Sequence, residues 1–210
     1  MFKLIHFVAC MLFIMSFGFL VSALPTTALN SKELAVRHDS SELATLVVNL
    51  QADIDVCAKA IGEFILPLSP IKPNIDTAGL SVTADIFAQI DILTGKINSC
   101  AAAILALGAG IDIEASVKAD IAAKLGAIIS VIVQLCISLN AKLGIIVVLG
   151  LFAKIDACLQ LLITNSGVCA EGIISLVANV ALSSVVKFGI EAFANTHLGL
   201  CAQVLGLTGA

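Results

Sequence analysis

From residue 43 onward, the apolar side chains fall on a helical beat. Leu43, Val47, Leu50, Ile54, Cys57, Ile61 and Phe64 follow one another at alternating spacings of four and three. That spacing sets all seven on one face of a helix and leaves Asp53, Asp55, Lys59 and Glu63 largely off it. The pattern recurs in Val82, Ile86, Ile90, Leu93, Ile97, Cys100, Ile104 and Leu107, and again in Ile113, Val117, Ile121, Leu125, Ile128, Ile132 and Leu135. Repeated amphipathic stripes of this length constrain the fold to packed helices. The fold class expected is all-α, a compact bundle of about five to six helices.

Local signals set the expected boundaries. Asp39 with Glu42 three residues on has the form of a capping box, which starts the first helix at 39. Pro67, Pro70 and Pro73 stop it. Gly108 and Gly110 end the second helix, and the third begins near Asp112. Glu114 with Lys118, and Asp120 with Lys124, are spaced as i,i+4 ion pairs. Asn165-Ser166-Gly167 has the composition of a turn between helices. A last short helix is expected around Leu198, Cys201, Val204 and Leu205. Ser81 to Ile86 and Ser116 to Ile121 echo one another across 35 residues, too faintly to define a solenoid.

The two halves differ in charge. Residues 24 to 124 carry 19 charged side chains; residues 125 to 210 carry six, namely Lys142, Lys154, Asp156, Glu171, Lys187 and Glu191. Ile145 to Ala153 has no polar side chain. The whole chain is 60% hydrophobic and 12% charged, against roughly 45–50% and 25% in ordinary soluble domains. A helix apolar all round lies at the centre of a bundle or against lipid. Charges at Lys154 and Asp156, the lack of Trp and Tyr, and the absence of a Lys/Arg cluster weigh against spanning helices. A surplus of apolar surface marks an interaction face instead.

The N-terminus has the layout of an export signal. Lys3 precedes an apolar stretch from Phe7 to Val21, and Val21 and Ala23 supply the small residues for a cut after Ala23. The expected organisation is a signal peptide over 1–23, a flexible leader over 24–38, and one helical domain over 39–210. That domain divides into a more charged part, 39–124, and a nearly uncharged part, 125–210. Arg37 is a weak second processing mark. Localisation is then extracellular or in the cell wall. Six cysteines remain after the cut: Cys57, Cys100, Cys136, Cys158, Cys169 and Cys201. An even number in an exported chain implies disulfides, with 15 pairings open.

Chemistry is hard to find. The chain lacks a His-Glu-x-x-His motif, a Cys-x-x-Cys pair, a Gly-x-Ser-x-Gly elbow and a phosphate-binding glycine loop. Asp53 and Asp55 stand two apart on a helix and do not face one site. No catalytic, metal or cofactor residue is expected, and no cofactor. With a net charge of −4 there is no footprint for nucleic acid.

Ser22-Ala23-Leu24-Pro25, Glu33-Leu34-Ala35-Val36-Arg37 and Leu50-Gln51-Ala52-Asp53-Ile54-Asp55-Val56 resemble segments of small secreted, hydrophobic, cysteine-containing proteins of mushroom-forming fungi. The polar-then-apolar layout is similar to that of secreted fungal cell-wall proteins implicated in hyphal attachment and aerial growth. The cysteines lack the adjacent pairs of hydrophobins, and the resemblance carries over no functional residue. It implies a non-enzymatic protein at a cell wall or hydrophobic interface. The partners expected are a hydrophobic surface, cell wall or lipid, with self-association open. A lipid or sterol carrier and an integral membrane protein are the alternatives.

Overall fold

The computed structural model describes residues 32–66, 77–188, 196 and 198–207. The expected signal peptide, leader residues 24–31 and the three-proline connection lie outside them. The described residues form six helices: α1 (Lys32–Ile65), α2 (Thr77–Ala106), α3 (Ala115–Leu143), α4 (Ile145–Cys169), α5 (Ile173–Phe188) and α6 (Gly199–Val204). No strand occurs among the described residues. Among the described residues the all-helical expectation holds, and so does that of five to six helices.

The stripes read from the sequence are the buried faces. Leu43, Val47, Leu50, Ile54, Cys57 and Ile61 of α1 are buried, as are Ile86, Ile90, Leu93, Ile97, Cys100 and Ile104 of α2. The seventh α1 position differs: Ile65 is buried and Phe64 only half-buried. At 3.6 residues per turn a strict four-three alternation drifts around the helix, so the core contact passes to the neighbouring side chain. α1 begins at Lys32, so Asp39 lies inside it rather than at its cap. α3 begins at Ala115, after the positive-φ glycines Gly108 and Gly110.

α4 is the hub: it packs against α2, α3, α5 and α6. α2 and α4 run parallel, with Asp91 opposite Lys154 at 2.9 Å and the Asn165 amide donating to the Ala101 carbonyl at 2.8 Å. α1 and α2 run antiparallel, with Asp53 paired to Lys96 at 3.3 Å and the Cys100 thiol 3.7 Å from the Leu46 carbonyl. α3 and α5 run parallel: Lys118 reaches the Glu171 carbonyl at 2.9 Å, and further along Gly126 meets Val180. A Cβ at Gly126 would stand 2.9 Å from that of Val180, so glycine is what lets these helices close.

Lys118 therefore does not pair with Glu114, whose carboxylate accepts from Ser116 at 2.9 Å. Asp120 and Lys124 do pair, at 3.4 Å. The expected turn at Asn165-Ser166-Gly167 is instead the last stretch of α4. Each residue has a helical use there. Asn165 bonds across to α2, Ser166 donates back to the Leu162 carbonyl at 2.8 Å, and Gly167 admits Ile174 of α5. The α2–α3 linker then satisfies the end of α4: Gly110 and Ile111 donate to the Val168 and Cys169 carbonyls at 3.1 and 2.8 Å.

Candidate functional site

The cysteines correct the disulfide expectation. Cys57 lies on α1, Cys100 on α2, Cys136 on α3, Cys158 and Cys169 on α4, and Cys201 on α6. All six are buried, but no two described cysteines stand at disulfide distance. A place on an apolar stripe points a thiol inward. It does not bring two Cα atoms within the 4.4–6.8 Å that a bridge needs, nor aim their Cβ atoms at each other. Here the cysteines serve as small core hydrophobes.

Three thiols gather near one carboxylate. Asp156, 4% exposed, accepts backbone N–H bonds from Leu200 and Cys201, both at 2.8 Å. It thereby caps α6, a helix too short to hold its own first turn. Burial, and then the Asp156 charge, push the thiols of Cys136 and Cys201 up to about 12. Cys158 is also pushed up to about 12, mainly by burial. Burial alone raises Cys100 to about 11, and it is the main cause of a rise at Cys57. Thiols held this high are protonated at neutral pH and are poor nucleophiles. Among the described residues, no group of three or more His, Cys, Asp or Glu is arranged to hold a metal ion. Asp53, Asp91 and Asp120 each hold a lysine of the surface, at Lys96, Lys154 and Lys124.

The outward-facing candidate is a corner between α3 and α4. A single residue, Gly144, separates the two helices; its φ of +79° favours glycine, and its N–H donates to the Asn140 carbonyl at 3.0 Å. The chain leaves this turn straight into Ile145, Ile146, Val147 and Leu149, all exposed, with Ile146 at 91%. Val148 points into the core, and from Leu151 and Phe152 onward α4 sinks into the bundle. At 100° per residue the four exposed side chains cover more than half the circumference of the helix. Unlike the single exposed aliphatics elsewhere, such as Ile92 and Leu161, these are contiguous. The run from Ile145 to Ala153 was visible in the sequence as unbroken apolarity. That its first turn protrudes was not, because exposure depends on where the neighbouring helices stop.

Helices α3 and α4 are also long and apolar enough to cross a membrane by length and composition. Within their most apolar windows 56% and 44% of residues are buried inside the bundle. No protein-family model matches this chain, and no curated protein matches it.

Proposed function

We propose that this chain is a secreted, non-enzymatic helical protein that acts by adsorption at a cell wall or another hydrophobic interface. One observation carries the reading: the contiguous exposed aliphatic corner Ile145, Ile146, Val147 and Leu149. Moving a fully exposed aliphatic side chain out of water contributes about 1.5–3 kcal/mol. A corner of four, with Ile146 nearly unshielded, supports adsorption without any chemical site. The protonated buried thiols and the ion-paired surface carboxylates agree with a non-catalytic role. Purified protein is expected to lower surface tension and to adsorb to hydrophobic beads while its helical circular dichroism persists. Adsorption no greater than that of an ordinary globular control overturns the proposal.

The length and apolarity of α3 and α4 favour a second reading, an integral membrane protein. In that case the protein stays in the membrane fraction through alkaline carbonate; an adsorbing protein is released.

A further inference from the structure

Along the axis of α2, Asp53 of α1 stands at Lys96 and Lys154 of α4 stands at Asp91. Leu66 lies thirteen residues beyond Asp53, about 20 Å along antiparallel α1 toward the start of α2. Ile145 lies nine residues before Lys154, about 14 Å along parallel α4 in the same direction. Because Asp91 is already five residues, about 7 Å, nearer the start of α2 than Lys96, the two positions reach the same level. Leu66 is 79% exposed. Leu66 and the corner of Ile145, Ile146, Val147 and Leu149 therefore stand at the same level, toward one end of the bundle.

Granted the interfacial action proposed above, we infer that this end docks on a fluid lipid bilayer, entering it tip first and shallowly. The partner follows from shape. Side chains exposed around more than half of a helix cannot all meet a flat protein face; a fluid medium can surround them. Charge sets the depth and the type of lipid. Lys142, two residues before Gly144, keeps the tip near the headgroups, so penetration is about 5–10 Å, the depth of an interfacial helix. Between residues 143 and 153, the stretch that holds the corner, the sequence has no charged side chain. Apolar area rather than charge then drives binding. The surface recognised is zwitterionic, and the binding is insensitive to salt.

The test is co-flotation with phosphatidylcholine vesicles, beside adsorption to hydrophobic beads, for the full chain and three variants. Ile146→Asp and Leu66→Asp alter exposed side chains at the docking end; Val56→Asp alters one on the flank of α1 that is 69% exposed. The expected result is flotation that survives 1 M salt, falls about tenfold or more in I146D and less steeply in L66D, and is unchanged in V56D. Three outcomes overturn the inference and leave the adsorption reading standing: bead adsorption without flotation, equal flotation of I146D and L66D with the parent chain, or flotation only with anionic vesicles. Failure to bind beads or vesicles overturns the adsorption reading itself.

Discussion

A buried thiol and a buried carboxylate make opposite demands on this core. The thiols of Cys100, Cys136, Cys158 and Cys201 sit above their ordinary value because burial disfavours the thiolate. Each then holds its proton in the folded state over a pH range where the unfolded chain has lost it. Their contribution is intact below about pH 9, the unfolded thiol value, and is lost as pH rises toward 12. The melting temperature is expected to be flat through neutral pH and to fall steeply above pH 9. Replacing Cys136 and Cys158 with alanine should flatten that fall, whatever it does to stability at pH 7. A thiol count checks the absence of bridges: native protein should resist alkylation, and unfolding without reductant should release six reactive thiols from Cys57 onward. Release of none or two would restore the disulfide expectation. Asp156 is different, since its carboxylate oxygens accept from two backbone amides. Asp156→Ala leaves the N–H groups of Leu200 and Cys201 without an acceptor. The expected loss is about 1–3 kcal/mol in denaturant unfolding, with hydrogen exchange accelerated first in α6.

Helix α4 shows how one apolar segment can be core along most of its length and surface at its start. Its glycines separate the two regimes. A Cβ at Gly167 would meet Ile174 Cγ1 at 2.8 Å, and one at Gly126 of α3 would press on Val180, whereas one at Gly150 meets nothing within 4 Å. Gly167→Ala and Gly126→Ala are each expected to cost about 1–3 kcal/mol by overpacking. Gly150→Ala should instead stabilise by roughly 0.5–1 kcal/mol, since alanine is the better helix former at an open site. Urea titration of the three variants checks the signs. The boundaries of α4 also show why local cues misled at Asn165-Ser166-Gly167. Polar, small residues favour a turn until a neighbouring helix supplies a carbonyl for the amide and a side chain for the gap.

The bundle as a unit depends little on its surface charges. Among the described residues the ion pairs Asp53–Lys96, Asp120–Lys124 and Asp91–Lys154 are solvent-accessible, and pairs of that kind contribute about 0–1 kcal/mol each. Stability is expected to change by no more than about 2 kcal/mol between low salt and 1 M salt, read from urea midpoints. A larger drop would mean that electrostatics, rather than the apolar stripes, holds the helices together. Among the described residues every buried side-chain nitrogen and oxygen has a hydrogen-bond partner, so the interior carries no unpaired polar side chain that would compete with apolar packing.

The helical class and the inward faces of α1, α2 and α3 were legible because spacing of apolar residues is a local property that the backbone turns directly into a face. The inward placement of Cys57 and Cys100 followed from the same spacing. Thiol pairing, the partner of Lys118, the capping of α6 by Asp156 and the protrusion of Ile145 to Leu149 were not legible. Each depends on which helices become neighbours and where they end. Distances between residues 45 to 64 positions apart, such as Asp156 to Cys201 or Asn165 to Ala101, are fixed only when the helices dock. Whether an apolar turn becomes core or corner is decided at that same step, because burial belongs to the neighbours as much as to the residue.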